Sequence, residues 1–115
     1  MEPASHFRYW GKADPSYPGD PKWHPLAYHS LDVAAVGFEY VRRVPSVRAL
    51  LASVLRIENE GAIERWTAFW LALHDLGKFS EAFQSQKPEL FQALHGRAAD
   101  AGKIYRVRHD SLGMM

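Results

Sequence analysis

"FWLALHDLGKF", residues 69–79, is the stretch on which the fold turns. Phe69 to Leu73 read as the apolar end of a helix, and an imidazole and a carboxylate then stand side by side as His74 and Asp75. Burying ionisable groups without partners is costly, so the pair needs a reason. Three readings are open: a helix C-terminus, a hydrogen-bonded core histidine, or metal ligands. Upstream, Ile63, Trp66, Trp70, Leu73 and His74 recur at steps of three and four, which predicts a helix from about 62 to 75 with these residues on one stripe.

The same period appears earlier. Leu26, His29, Val33, Val36 and Tyr40 share one face of a helix predicted from about 26 to 43. Pro25 suits its first turn, and Arg42 and Arg43 suit its last, where cations oppose the helix dipole. Pro45 ends that helix, and Ser46 is read as the cap of a second one running through "VRALLASVLRI". "ENEG" is a polar break. Ser80 caps a short fourth helix, "PELFQAL" is a fifth with Pro88 in its first turn, "HGRAADAGK" is a loop, and "RHDSLGMM" begins a further helix. No stretch alternates with period two. The fold class is therefore all-α, about five helices, with those over about 26–43 and 62–75 packed together so that His29 comes near His74.

Residues 1–25 differ in character. They hold five of the seven prolines, Pro3, Pro15, Pro18, Pro21 and Pro25, with Gly11 and Gly19 among them, and read as a turn-rich N-terminal arm. Phe7, Tyr9, Trp10, Tyr17 and Trp23 give it the means to pack on a body formed by residues 26–115.

Bulk composition excludes several classes. The 115 residues are one domain's worth, and 47% hydrophobic with 13% aromatic residues is a folding composition. A net charge of +1 gives no general attraction for nucleic acid, so such contact must be local. The absence of cysteine removes disulfides, thiolate metal sites and thiol nucleophiles. No apolar run reaches the roughly 20 residues of a membrane span, and "MEPASHFRYWGK" has no apolar signal core. A soluble, cytoplasmic protein is expected.

His29 and His74 both fall on predicted inward stripes. Imidazole and carboxylate without thiolate suit Mn, Fe, Ni, Co or Zn, with Mg a further candidate. Adjacent residues on a regular helix point about 100° apart, so His74 and Asp75 can share an ion only where the helix ends or distorts. Gly77 is a candidate for that ending. Asp32, three residues after His29, is either an acceptor behind a ligand imidazole or a solvent-facing acid. His24 is assigned to the arm, His95 to a helix C-terminus and His6 to a mobile end. Trp10, Trp23, Trp66 and Trp70 are candidates for stacking on single-stranded bases, and Trp66 and Trp70, on the third helix, are assigned to the core instead.

A helical His followed by a His-Asp dyad and "LGK" resembles the HD superfamily of metal-dependent phosphohydrolases. "YWGK", "HPLAYHSLDVAAV", "LALHDLGKFSEAFQ" and "RHDSLG" together resemble, in order, the N-terminal HD nuclease domain of the CRISPR-associated nuclease-helicase of type I systems. The resemblance implies an HD-like helical bundle with metal ligands at His29, His74, Asp75 and His109. It also implies that Lys78 faces a substrate phosphate and that Lys78 and Asp75 serve catalysis. Cleavage of single-stranded DNA by a transition-metal pair, in antiviral defence alongside a CRISPR effector complex, is the implied activity. Family ligands beyond "RHDSLG", a paired histidine and a later aspartate, have no counterpart, nor does a Walker motif or helicase. The expectation is thus a partial, truncated HD module, incomplete as a nuclease by itself, whose uncovered apolar face is met by a helicase domain or a homodimer. The alternative is a non-catalytic module that binds or regulates the effector complex.

Overall fold

A computed structural model describes residues 4–14, 16, 18, 22–59, 61–103 and 105–112. Pro3, Pro15, Tyr17, Gly19 and Pro21 of the arm, Glu60 of "ENEG" and Gly113 of "RHDSLG" lie outside the described residues. A 3-10 helix, Ser5–Arg8, precedes a two-stranded antiparallel sheet of β1 (Trp10–Ala13) and β2 (Trp23–Pro25). Helices then dominate: α1 (Leu26–Arg43), α2 (Pro45–Leu55), α3 (Ala62–Leu73), α4 (Glu81–Gln84), α5 (Pro88–His95) and α6 (His109–Leu112). A second 3-10 helix, Leu76–Phe79, lies between α3 and α4. The mostly helical architecture agrees with the all-α expectation, and the small sheet is an addition to it. Strands this short carry no readable alternation.

The boundaries follow local chemistry. Pro25 closes β2 opposite Trp10, and α1 begins one residue later with the Leu26 amide donating to the Tyr9 carbonyl at 2.7 Å. Arg42 and Arg43 occupy the last turn as expected, both held by Glu39. Ser46 is not a cap: Pro45 already occupies the first turn of α2, whose preceding residue Val44 makes no side-chain capping bond. A proline there loses no hydrogen bond, because that N–H has no intrahelical partner anyway. Ser80 does cap α4, its Oγ accepting from the Phe83 amide at 3.2 Å. At the end of α5, Gly96 adopts φ 68°, a conformation costly for any residue with a Cβ.

The chain divides into two units, Met1–His29 with His74–Met115, and Ser30–Leu73. Trp10, Leu26, Phe83 and Phe91 are the buried apolar residues of the first, together with the polar Asp75 and Gln84. The second, formed by most of α1 with α2 and α3, buries Ala34, Val41 and Ile63 and a charged residue, Glu64, whose carboxylate pairs with Arg48. Gly37 of α1 faces Leu71 of α3 so closely that a Cβ would overlap the leucine's Cδ1. No helix among the described residues is long and apolar enough to cross a membrane.

The stripes read from the sequence require correction in this second unit. Val36 is 71% and Tyr40 55% exposed, while Ala34 and Val41 are buried instead. On α3, Ile63 is buried, but Trp66, Trp70 and Leu73 are 38%, 46% and 36% exposed, so the two tryptophans are not core residues. Small residues on the packed side of α1, Ala34 and Gly37, set the contact, and counting only large apolar side chains selects the wrong face.

Candidate metal centre

Helix α3 stops at Leu73, one residue before the dyad. His74 and Asp75 are turn residues, and Asp75 has φ −103° and ψ 18°, the bridge region in which many active-site residues sit. The ending that the dyad requires is therefore present. Gly77 does not supply it through a left-handed conformation, since Gly61 and Gly96 are the positive-φ glycines among the described residues. The chain instead tightens into the 3-10 helix, with the Lys78 amide donating to the Asp75 carbonyl at 2.9 Å and Ser80 to Gly77 at 3.1 Å. Three residues per turn bring Lys78 back over Asp75.

Asp75 is the hub. Its side chain is 3% exposed, and four donors surround it. Oδ2 meets His29 Nε2 at 3.1 Å, His74 Nε2 at 3.1 Å and Lys78 Nζ at 2.8 Å. Oδ1 meets His109 Nε2 at 3.1 Å. The His29 and His74 ring centres are 6.2 Å apart. All these residues belong to the first unit. The structure thus brings His29, His74, Lys78 and His109, four of the residues nominated from the sequence, to the carboxylate of a fifth, Asp75.

Burial alone would raise the Asp75 carboxyl. The hydrogen bond and charge of Lys78, followed by the charges of His74 and His109, outweigh it and hold Asp75 below the usual carboxylate range. His29 moves the other way from a typical carboxylate-paired histidine. Burial and then the Lys78 charge lower it, against the opposing pull of Asp75. The result is an ionised carboxylate beside an imidazole held neutral, the protonation states that metal ligation requires.

The donor set also fits a cation sterically. His29, His74 and Asp75 each offer a ligand atom within 4.8 Å of the others. Ligands about 2.1 Å from a shared tetrahedral ion stand roughly 3.4 Å from one another, close to the 3.1 Å separations between Asp75 Oδ2 and the two imidazoles.

This constellation agrees with what the chain matches. The family model described as Cas3, HD domain, covers residues 10–115. The chain belongs to the Cas3 HD-domain family. It is 43% identical over 77 residues to the CRISPR-associated endonuclease/helicase Cas3 of Thermus thermophilus, covering 66% of this chain and 8% of that protein. The Escherichia coli protein of the same name is 32% identical over 96 residues, 83% of this chain and 11% of the relative. The chain therefore spans about a tenth of the length of these relatives. No solved structure matches it.

Other nominated residues lie elsewhere or serve packing. Asp32 is exposed on α1, outside the hub. His6 sits in the first 3-10 helix against Phe7, and His24 in β2 near Tyr28. His95 ends α5, as read, between the rings of Tyr9 and Phe91.

Three supporting residues were missed. Gln84 is fully buried. Its Oε1 accepts from the Trp10 amide at 3.1 Å, and its Nε2 donates to the carbonyls of Trp10 at 2.9 Å and Lys78 at 2.8 Å. The Gln84 carbonyl accepts from Trp10 Nε1 at 3.2 Å. One amide thereby ties β1 to the turn carrying Lys78. Gly11, in the irregular step of β1, lies where a Cβ would stand 3.0 Å from His29 Cβ and 3.1 Å from Leu26 Cα, so its bareness lets β1 press on the His29 turn. Tyr105 bonds His109 twice. A polar residue at the inward position of a helix, next to Phe83, was the available signal for Gln84. Gly11 lies in the "YWGK" segment that carries the resemblance, and nothing in the sequence distinguishes Tyr105.

Proposed function

We propose that the chain is a metal-dependent HD nuclease module for single-stranded DNA, acting in CRISPR-linked defence with an effector complex and a helicase partner, in the cytoplasm. In this reading residues 1–25 form an arm on a partial HD domain of residues 26–115. The observation that carries it is the convergence of His29, His74, Lys78 and His109 on the two oxygens of Asp75, in a chain of the Cas3 HD family.

His29, His74 and Asp75 would hold a divalent transition metal such as Mn, Ni, Co, Fe or Zn, and His109 adds a donor on the other carboxylate oxygen. The bound metal would acidify water and offset negative charge on a phosphodiester. The chain's own part is to orient. Asp75 fixes two imidazoles through one oxygen and a third through the other. Lys78, ion-paired with Asp75, carries the positive charge available for a non-bridging phosphate oxygen.

Purified protein is expected to bind about one equivalent of Mn or Co by equilibrium dialysis, and His29→Ala/His74→Ala to bind none. With Mn or Ni and a labelled single strand it should cut feebly, since a paired-ion clamp calls for more ligands than these four residues. A chelator or Asp75→Ala should stop the cutting. Equal metal uptake by wild type and the double variant would refute the site, and cutting that survives Asp75→Ala would refute the activity.

A further inference from the structure

Charge is unevenly spread along this near-neutral chain. The segment joining α5 to α6 carries four cations, Arg97, Lys103, Arg106 and Arg108, against one acid, Asp100, although the whole chain nets only +1. Glu81, the first residue of α4, fastens the front of that segment. Its carboxylate accepts from Arg97 through both oxygens at 3.0 and 3.1 Å, from the Asp100 amide at 2.8 Å and from Lys103 Nζ at 3.0 Å. These donors, Arg97 first, hold Glu81 well below the usual carboxylate range, so the clamp stays ionised. The back of the segment is fixed as well. Tyr105 stands edge-on to the buried Phe83 with ring centroids 5.6 Å apart, and His109 lies against Asp75. Arg106 and Arg108 are carried between these anchors, both exposed, and Arg108 directly precedes His109.

We propose that Arg106 and Arg108 form a strand-capture site, which grips the phosphate backbone of a single-stranded nucleic acid beside the metal centre. Arg97 and Lys103 are already matched by Glu81. Arg108 pairs with Asp110 at 3.0 Å, but the two side chains are 78% and 49% exposed, and such a pair is worth little in water and readily exchanged for phosphate. A guanidinium presents a planar fork of donors that suits two phosphate oxygens at once. Val107 between them is 42% exposed and gives an unstacked base an apolar contact. Because the segment is held at both ends, little further ordering is needed when a strand arrives. The other adjacent pair of exposed arginines, Arg42 and Arg43 of α1, is bound to Glu39 by three hydrogen bonds and offers less.

The kind of strand rests on the nuclease reading, and chelated protein separates the two. Without metal, wild type should bind a labelled oligo-dT strand by fluorescence anisotropy, with log K falling linearly against log salt. Arg106→Gln/Arg108→Gln should weaken binding roughly 20-fold at about 0.1 M salt and take about 1.4 off the slope, about 0.7 for each contact to a single strand. Arg106→Lys/Arg108→Lys keeps both charges and should keep the slope. Arg42→Gln/Arg43→Gln removes the same charge from α1 and should leave the slope unchanged. Oligo-dA should lose as much as oligo-dT, since backbone contacts carry no sequence information. A slope unmoved by Arg106→Gln/Arg108→Gln overturns the proposal. So does an equal loss in the α1 variant, which would mean that net charge alone is at work. Mn uptake is measured on the same proteins. Normal uptake with no strand binding removes the capture site and leaves the metal reading standing. Binding through Arg106 and Arg108 with no uptake removes the nuclease reading alone.

Discussion

The two units differ in what they do with polar and large apolar groups, although each buries a carboxylate, Asp75 in the first and Glu64 in the second. In the first, polar groups go inside with their partners: Asp75 among four donors and Gln84 among three backbone groups, while Trp10, Phe83 and Phe91 are buried as well. In the second, large apolar groups stay outside. Leu31, Val36, Leu50, Val54 and Phe69 are 57% exposed or more. A buried polar network is tolerated only when fully satisfied, and then it specifies one geometry. A helix face of exposed leucine and valine specifies none. The first unit is thus built for positional accuracy, and substitutions in the two should differ sharply in cost.

The largest expected effect is at Gln84. Gln84→Leu keeps the apolar volume but strands the Trp10 N–H and the carbonyls of Trp10 and Lys78. At about 1–3 kcal/mol for each unsatisfied group, the loss should be at least about 3 kcal/mol, a large part of a domain's total stability of about 5–15 kcal/mol. Val54→Ser on α2 is the control and should stay within about 0.5 kcal/mol, as exposed positions usually do. Urea midpoints measure both. A loss at Val54 comparable to that at Gln84 would break the contrast, because it would mean the exposed face is structurally engaged.

The same contrast explains what the sequence disclosed. The helices over Leu26–Arg43 and Ala62–Leu73 were legible because the 3.6-residue period survives any assignment of faces. The faces themselves were not. A helix carrying Leu31, Val36 and Tyr40 as well as Leu26 and Val33 has apolar residues on more than one side, and the packed side was chosen by Ala34 and Gly37. The hub was legible for a different reason. His29, His74, Asp75, Lys78 and His109 are chemistry-bearing residues in a recognisable order, and their meeting at one carboxylate depends on the turn at 74–79 more than on helix periodicity. Gln84, Gly11 and Tyr105 act through backbone bonds, bare space and a hydroxyl, which leave no periodic trace.

A middle-sized effect is expected at Gly11. Adding a methyl there sets a Cβ against the backbone of Leu26 as well as the His29 side chain, and such overpacking costs typically about 1–3 kcal/mol. Because the displaced element carries His29, Gly11→Ala should weaken Mn or Co uptake as well as stability. Unchanged uptake with reduced stability would show that His29 is held by Asp75 alone.

The smallest effect is the pH dependence, and it too should come from the first unit. Burial, with the Lys78 charge at His29 and the Arg97 and Arg8 charges at His95, lowers both histidines below the ordinary value of 6.5. The unfolded chain therefore takes up these protons before the folded chain does. Their contribution is complete above pH 6.5 and is lost as pH falls below it, through the lower folded values. Asp75, itself lowered, keeps its contribution down to its ordinary value of 3.8 and loses it below that. Between about pH 6.5 and 4 the histidines should thus govern the slope while the hub carboxylate stays ionised. His95 isolates the effect from metal binding, since its ring packs between Tyr9 and Phe91 and its Nε2 is buried without a hydrogen bond. His95→Phe preserves an aromatic ring there and removes the titration, so urea midpoints in chelated protein should fall less steeply with acid than in wild type. An unchanged slope would place the acid sensitivity elsewhere, and a steeper one would mean that the His95 ring stabilises the fold in its protonated form.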